Sequence, residues 1–458
     1  MIALTLAEIA TAVGGRLEGD PSIRVTGTVE FDSRKVTPGG LFVAFPGEKV
    51  DGHDYAAAAV SAGAVAVLAS RPVPVPAILV EDQRAAMATL ARYVVDRLPA
   101  LTVVGLTGSS GKTTTKDLVA QLLTRLGPTV ATAGSFNNEL GHPYTVLRAD
   151  ERTRFLVLEM GARGAGHITH LCEVAPPRIG VVINVGVAHI GEFGSVDAIA
   201  AAKGELVEAL PADGVAVLNA DDPRVRAMAA RTGAKVVLAG EAPDATVRAA
   251  DVTLSAGRAA FTLVTPDGEA PVRLAIAGRH QVGNTLLAAA VAHTLGFPVA
   301  ELGDALSRLR VVSARRMDVF DRADGVTVID DSYNANPASM AAALRALVGT
   351  GGGRRTVAVL GYMAELGEYE REGHEEVGRL AAELGVDRLI VVGDTAAPIH
   401  SGAAAVATWG GESVLVTDQG AAVAALRREL RPGDVVLVKG SRYRTWDVVD
   451  SLRPGASS

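Results

Sequence analysis

Leu106–Lys116 reads LTGSSGKTTTK. It follows an apolar run, ALTVVG at 100–105, that predicts a buried strand, and the residues after it predict a helix. Glycines, a lysine and a threonine at a strand-to-helix junction are the chemistry of a phosphate cradle. Small residues let the backbone N–H groups of Gly108, Ser109, Ser110 and Gly111 come close to phosphate oxygens. Lys112 adds a positive charge, and the hydroxyls of Thr113 and Thr114 follow, Thr113 in the position that serves Mg²⁺. The stretch departs from the strict G-x-x-x-x-G-K-[ST] spacing, because Leu106 stands where the first glycine belongs. The plainer alternative is a glycine-rich turn with an exposed lysine.

Working outward, the loop opens the middle of three segments. Residues 99–311 carry apolar runs at RFLVLEMG, RIGVVINVG, GVAVLNADD and AKVVLAG with helical stretches between them, which predicts a mostly parallel sheet. A more alternating, strand-like section spans 246–276, and HQVGNTLLAAAVAHTLG reads as a closing helix. Residues 1–98 alternate turns with short strands and end in a connecting helix, RAAMATLARYVVDRL. Residues 312–458 repeat the strand–helix logic at GVTVIDDS, RTVAVLGY, DRLIVVGD, SVLVTD and GDVVLVKG. That pattern predicts a Rossmann-like doubly wound sheet with its ligand site at the carboxyl ends of the strands, where Asp330, Asp331, Tyr362 and Lys439 fall. The fold class expected is α/β in three domains, the central one P-loop-type.

Composition narrows the function. The chain has 458 residues, 48% hydrophobic, with a net charge of -7 and no basic stripe of the kind a nucleic-acid binder needs. Its single cysteine, Cys172, allows no internal disulfide, which fits a reducing compartment. The first residues lack a basic signal-peptide region, and the longest uncharged apolar stretch, 55–70, falls short of the ~20 residues of a membrane helix. The expectation is a cytoplasmic protein without a membrane span.

Several residues outside the loop carry possible chemistry. Glu159 ends a buried strand, where a carboxylate suits a hard cation or simply faces solvent. His189 lies in the loop after a neighbouring strand, either a surface residue or a ligand. Lys203, in AIAAAKGELV, reads as an ordinary helix lysine, with a cation at phosphate or, if converted to a carbamate, a pseudo-carboxylate ligand as the alternatives. Asp331 could accept hydrogen bonds from ribose hydroxyls, and Asn284, on the first turn of a helix, could read a base edge. Asn334 and Asn336 are turn formers ahead of Pro337, which also describes a well-capped helix start.

Taken together, TGSSGKTT, NNELGHP, LEMGA, AHIGEFGS, AKGEL, GRHQVGN and DDSYNANP resemble, in order and over nearly the whole chain, the Mur ligase family of ATP-dependent amide-forming enzymes. That family's ATP loop has the shorter TGxxGKT form, which accounts for the failed strict pattern. The blocks DSRKVTPGGLFVAFPGEKVDGHDY and DSYNANP resemble the branch that adds D-alanyl-D-alanine to UDP-N-acetylmuramoyl-tripeptide. One departure is Tyr362 in GYMAELG, where that branch usually has an acid.

The resemblance implies a first domain (1–98) that holds the UDP-sugar through residues such as Ser33 and Arg34, a central ATP and Mg²⁺ domain (99–311), and a last domain (312–458) that brings the dipeptide. It implies that Lys112 and Thr113 serve the phosphates and a first Mg²⁺. Glu159, His189 and a carbamylated Lys203 would serve a second. Asn284, Arg316 and Asp331 would be adenine, phosphate and ribose contacts, and Asn137 and Asn138 a substrate-facing loop. Asn334 and Asn336 would face the incoming substrate, and the enzyme would be a monomer. The rival classes are a nucleotide-driven switch, which has no use for the D-S-R-K block, and a binding module, which should have lost the phosphate and metal residues.

Overall fold

A computed structural model describes residues 1–47, 50–441 and 443–453. Glu48 and Lys49 of the D-S-R-K block and the final residues 454–458 of the third segment lie outside them. Among the described residues the strands form four sheets, of nine, six, five and two strands.

The nine-stranded sheet is built around Thr102–Thr107. This strand runs parallel between Phe155–Glu159 and Ile179–Val182, and Val215–Asn219 and Lys235–Gly240 continue the parallel set. All five residues of Phe155–Glu159 are buried. Burial on both faces is why these strands read as unbroken apolar runs and not as alternation. The alternating section becomes Val247–Ser255, Arg258–Thr265 and Gly268–Ala277, an antiparallel extension of the same sheet. Its middle strand alternates buried residues with less buried ones, as one covered face requires.

The six-stranded sheet contains the five expected strands. Val435–Lys439 lies between Thr327–Asp330 and Thr356–Gly361, all parallel, followed by Arg388–Val392 and Glu412–Val416. Helices cover both faces. Leu344, Val377 and Ile399 pack with Leu360 and Leu437 on one, and Leu426, Val448 and Val449 pack with Val359 and Val438 on the other. This is the doubly wound arrangement. A sixth strand, Asp318–Asp321, pairs antiparallel at the edge. Its sequence, DVFD, is short and half charged, so pattern reading passes over it.

The five-stranded sheet of the N-terminal segment does not keep a core of its own on both sides. Leu6, Ile9, Leu41 and Leu90 belong to one continuous apolar cluster with Val146, Leu156, Leu158 and Leu206 of the central segment. A buried polar tie reinforces this joint. Glu30 accepts from Tyr144 Oη at 2.7 Å and from Arg148 Nη2 at 3.4 Å, while Phe31 meets the Tyr144 ring at 5.0 Å between centroids. Among the described residues no helix is long and apolar enough to cross a membrane.

Candidate active site

The carboxyl ends of the central strands open into a cleft of about 720 Å³ lined from all three segments: Phe31 from the first, the Ser109–Thr114 loop from the second, Asp331 and Lys439 from the third. Glu159 aligns with Leu106, and Val182 with Thr107, so the acid, the loop and the chain leading to His189 emerge side by side.

The loop is stiffened from below. Ser109 N–H donates to Asn184 O at 3.1 Å, and Ser110 N–H to Asn184 Oδ1 at 2.9 Å. Asn184 is the polar interruption in the run VVINVG, a signal that sequence reading passed over. This revises one expectation: two of the backbone donors assigned to phosphate are already engaged. Further donors come from the helix Lys112–Thr124, whose N-terminus has no side-chain cap. Uncapped N–H groups and the positive end of the helix suit an anion. Gly111 turns the chain at φ +78°, and a Cβ there would lie 2.8 Å from Asn284 Oδ1. Lys112 Nζ folds back to Gly108 O at 2.7 Å, and burial lowers its pKa against the pull of Glu159.

The expected residues divide into those at the cleft and those away from it. Ser109, Ser110, Gly111, Lys112, Thr113 and Thr114 line it, with Asn137, Asn138, Glu159, His189, Asn284, Arg316, Asp331, Asn334 and Asn336. Gly108 lies beneath, where a Cβ would strike Ile183 at 2.8 Å. Lys203 is buried behind the wall on the helix Val196–Glu208. Ser33 and Arg34 form a short turn outside the cleft, and the Arg34 side chain is 86% exposed against Asp32.

Local bonding assigns some of these side chains. Asn336 caps the helix Pro337–Gly351 by accepting from Ser339 N–H, the plainer of its two readings. Asn138 Oδ1 accepts from Gly141 N–H at 2.9 Å. Asp331 uses both oxygens within the protein, taking Met317 N–H at 3.1 Å and Lys439 Nζ at 2.5 Å. Arg316 donates to Ser135 Oγ at 3.2 Å and lies 4.2 Å over the Tyr333 ring, while its Nε is buried without a partner. Asn284 Nδ2 donates to Gln281 Oε1 at 3.0 Å.

The residues present fit a divalent cation in part. Among the described residues no three His, Cys, Asp or Glu side chains converge as a metal site. Yet Glu159 Oε2 is buried with no hydrogen-bond partner, although Oε1 accepts from Asn137 Nδ2 at 2.6 Å. An orphaned carboxylate oxygen at a phosphate loop is an invitation to a cation. Lys203 is the other mismatch. Burial, then the Lys112 charge, lowers its pKa to about 7. A carbamate there would replace a disfavoured ammonium with an oxygen ligand.

Residues 27–101 match the Mur ligase family catalytic domain, 106–292 the Mur ligase middle domain, and 315–442 the Mur ligase glutamate ligase domain. The chain is 51% identical to the UDP-N-acetylmuramoyl-tripeptide–D-alanyl-D-alanine ligase of Mycobacterium tuberculosis, covering 96% of each. Its fold is similar to that of MurF from Acinetobacter baumannii, with a TM-score of 0.87 and 31% identity over 98% of each chain. It is also similar to MurF ligase from Thermotoga maritima in complex with ADP, with a TM-score of 0.79 and 32% identity over 92% of this chain and 97% of that one. With this identity sustained over nearly its whole length, and the same three-domain α/β fold, the chain belongs to the Mur ligase family.

Proposed function

We propose that this chain is an ATP-dependent ligase that joins D-alanyl-D-alanine to UDP-N-acetylmuramoyl-tripeptide, giving the UDP-N-acetylmuramoyl-pentapeptide precursor of peptidoglycan. The observation that carries this reading is a cleft lined from three segments, with the Ser109–Thr114 loop and Glu159 among its walls. The name shared by its relatives supplies the substrates.

In this reading residues 1–98 hold the UDP-sugar with Ser33 and Arg34, 99–311 hold ATP, and 312–458 bring the dipeptide past Asn334 and Asn336. The helix N-terminus and Lys112 hold the β- and γ-phosphates, Arg316 and Asn284 take phosphate and adenine, and Asp331 takes ribose. Asn137 and Asn138 flank the tripeptide. A carboxylate oxygen of the tripeptide attacks the γ-phosphorus and ADP leaves. The dipeptide amine then attacks the acyl carbon of the resulting acyl phosphate, loses a proton, and phosphate departs. Both steps gather negative charge, so positioning and electrostatic neutralisation dominate. Thr113 would hold one Mg²⁺, and Glu159, His189 and carbamylated Lys203 a second. Ions held there would supply positive charge to the crowded oxygens. We further propose that the protein is a cytoplasmic monomer.

The test is phosphate release from Mg-ATP, with each substrate omitted in turn. The reading predicts sustained release only with both. Release with neither would overturn it in favour of a nucleotide switch.

A further inference from the structure

Glu365 has no part in the reaction outlined above, yet the structure gives it an unusual place. It follows the C-terminal strand Thr356–Gly361, and its carboxylate crosses to the central domain. Oε2 lies 2.5 Å from His189 Nδ1, and Oε1 lies 3.5 Å from Arg163 Nη2. The His189 nitrogen is buried, and its approach to Oε2 falls outside the alignment of a hydrogen bond. His189 and Glu365 both occupy the left-handed region, at φ 62° and 66°, which non-glycine residues seldom adopt.

The backbones around this pair meet directly. Gly191 N–H donates to Glu365 O at 3.3 Å. A Cβ on Gly367 would fall 2.7 Å from Gly191 Cα, and one on Gly191 would fall 2.7 Å from Gly367 N. Gly367 itself has φ +57°. A casual surface ion pair needs neither two left-handed residues nor two glycines face to face. The joint brings one carboxylate to one imidazole.

We propose that Glu365 is a positioning residue. Its carboxylate, packed beside Nδ1, limits the orientations open to the His189 ring, leaves Nε2 as the ligand atom, and so makes tight cation binding depend on docking of the C-terminal domain. Carboxylates behind a ligating histidine orient its ring, and their loss costs about 10- to 100-fold in metal affinity. The coupling is reciprocal: a cation held at His189 favours the docked domain by the same factor. This rests on the proposed role of His189 as a metal ligand.

The test is a Mn²⁺ titration of the nucleotide-free full chain in bicarbonate buffer, reading bound Mn²⁺ by electron paramagnetic resonance. Glu365→Gln keeps the shape and removes the charge. Gly367→Ala touches no ligand and pushes the two backbones apart. Each should weaken Mn²⁺ binding by about 10- to 100-fold. In a His189→Ala background, Glu365→Gln should add almost nothing. The proposal is overturned if both variants bind Mn²⁺ like the wild type, or if Glu365→Gln weakens binding equally with and without His189. A wild type that ligates normally while the variants keep full affinity sinks this inference alone. A wild type that binds no Mn²⁺ takes the metal assignment of His189 down with it.

Discussion

An ammonium buried near a second ammonium is a poor arrangement, and Lys203 holds it close enough to Lys112 for the two charges to interact. Its folded pKa of about 7, against an ordinary 10.5, has a definite sign. Between those values the unfolded chain keeps a proton that the folded chain has lost, so this group favours folding more as pH rises through the window. Below about 7 the full penalty of burying the charge is present. The same shift leaves a neutral amine, the form that adds carbon dioxide. With isotope-labelled bicarbonate, a carbamate resonance should appear about a pH unit above the folded value and fade about a unit below it. It should be absent in Lys203→Ala. A resonance that survives that substitution would remove Lys203 from the account. The Lys203→Ala variant should also lose ligation and regain part of it with short carboxylic acids.

In the proposed reading the helix Lys112–Thr124 is the element on which nucleotide binding turns, because its first N–H groups have no side-chain cap. Gly111 permits that geometry. Gly111→Ala combines a left-handed residue, costing ~1–2 kcal/mol, with a contact 2.8 Å from Asn284 Oδ1. Its affinity for ADP should fall roughly tenfold or more in a fluorescence titration, since 1.4 kcal/mol is about tenfold. An unchanged affinity would show that the helix start is not the phosphate site. Elements of this kind were legible in the sequence. Buried parallel strands leave unbroken apolar runs, and a glycine-lysine-threonine loop between strand and helix has few other uses. What escaped is physically different. Asn184 hides inside an apolar run as a strut, and Asp318–Asp321 is too short and polar to read as a strand. Glu365 and His189 meet through domain docking, for which no local pattern exists.

The whole molecule divides unequally. The N-terminal and central sheets share one apolar core, tied by Glu30, Tyr144 and Arg148, whereas the C-terminal sheet has two cores of its own. Calorimetry should therefore resolve two transitions, with the first two segments melting together and the third apart. Three separate transitions would contradict the shared core. The cleft takes residues from both units, so the chemistry assigned to it depends on their docking. That dependence could not be read along the chain, because each side carries only part of the set: Lys112, Glu159 and His189 on one, Asp331 and Lys439 on the other. The central claim concerns a group transfer in that cleft, and isotope transfer tests it most directly. UDP-N-acetylmuramoyl-tripeptide with heavy oxygen in its terminal carboxylate is turned over with ATP and D-alanyl-D-alanine, and the released phosphate is weighed by mass spectrometry. The account predicts one heavy oxygen in each phosphate, in step with UDP-pentapeptide formed. Phosphate that takes its oxygen from water instead, with no pentapeptide, would contradict it.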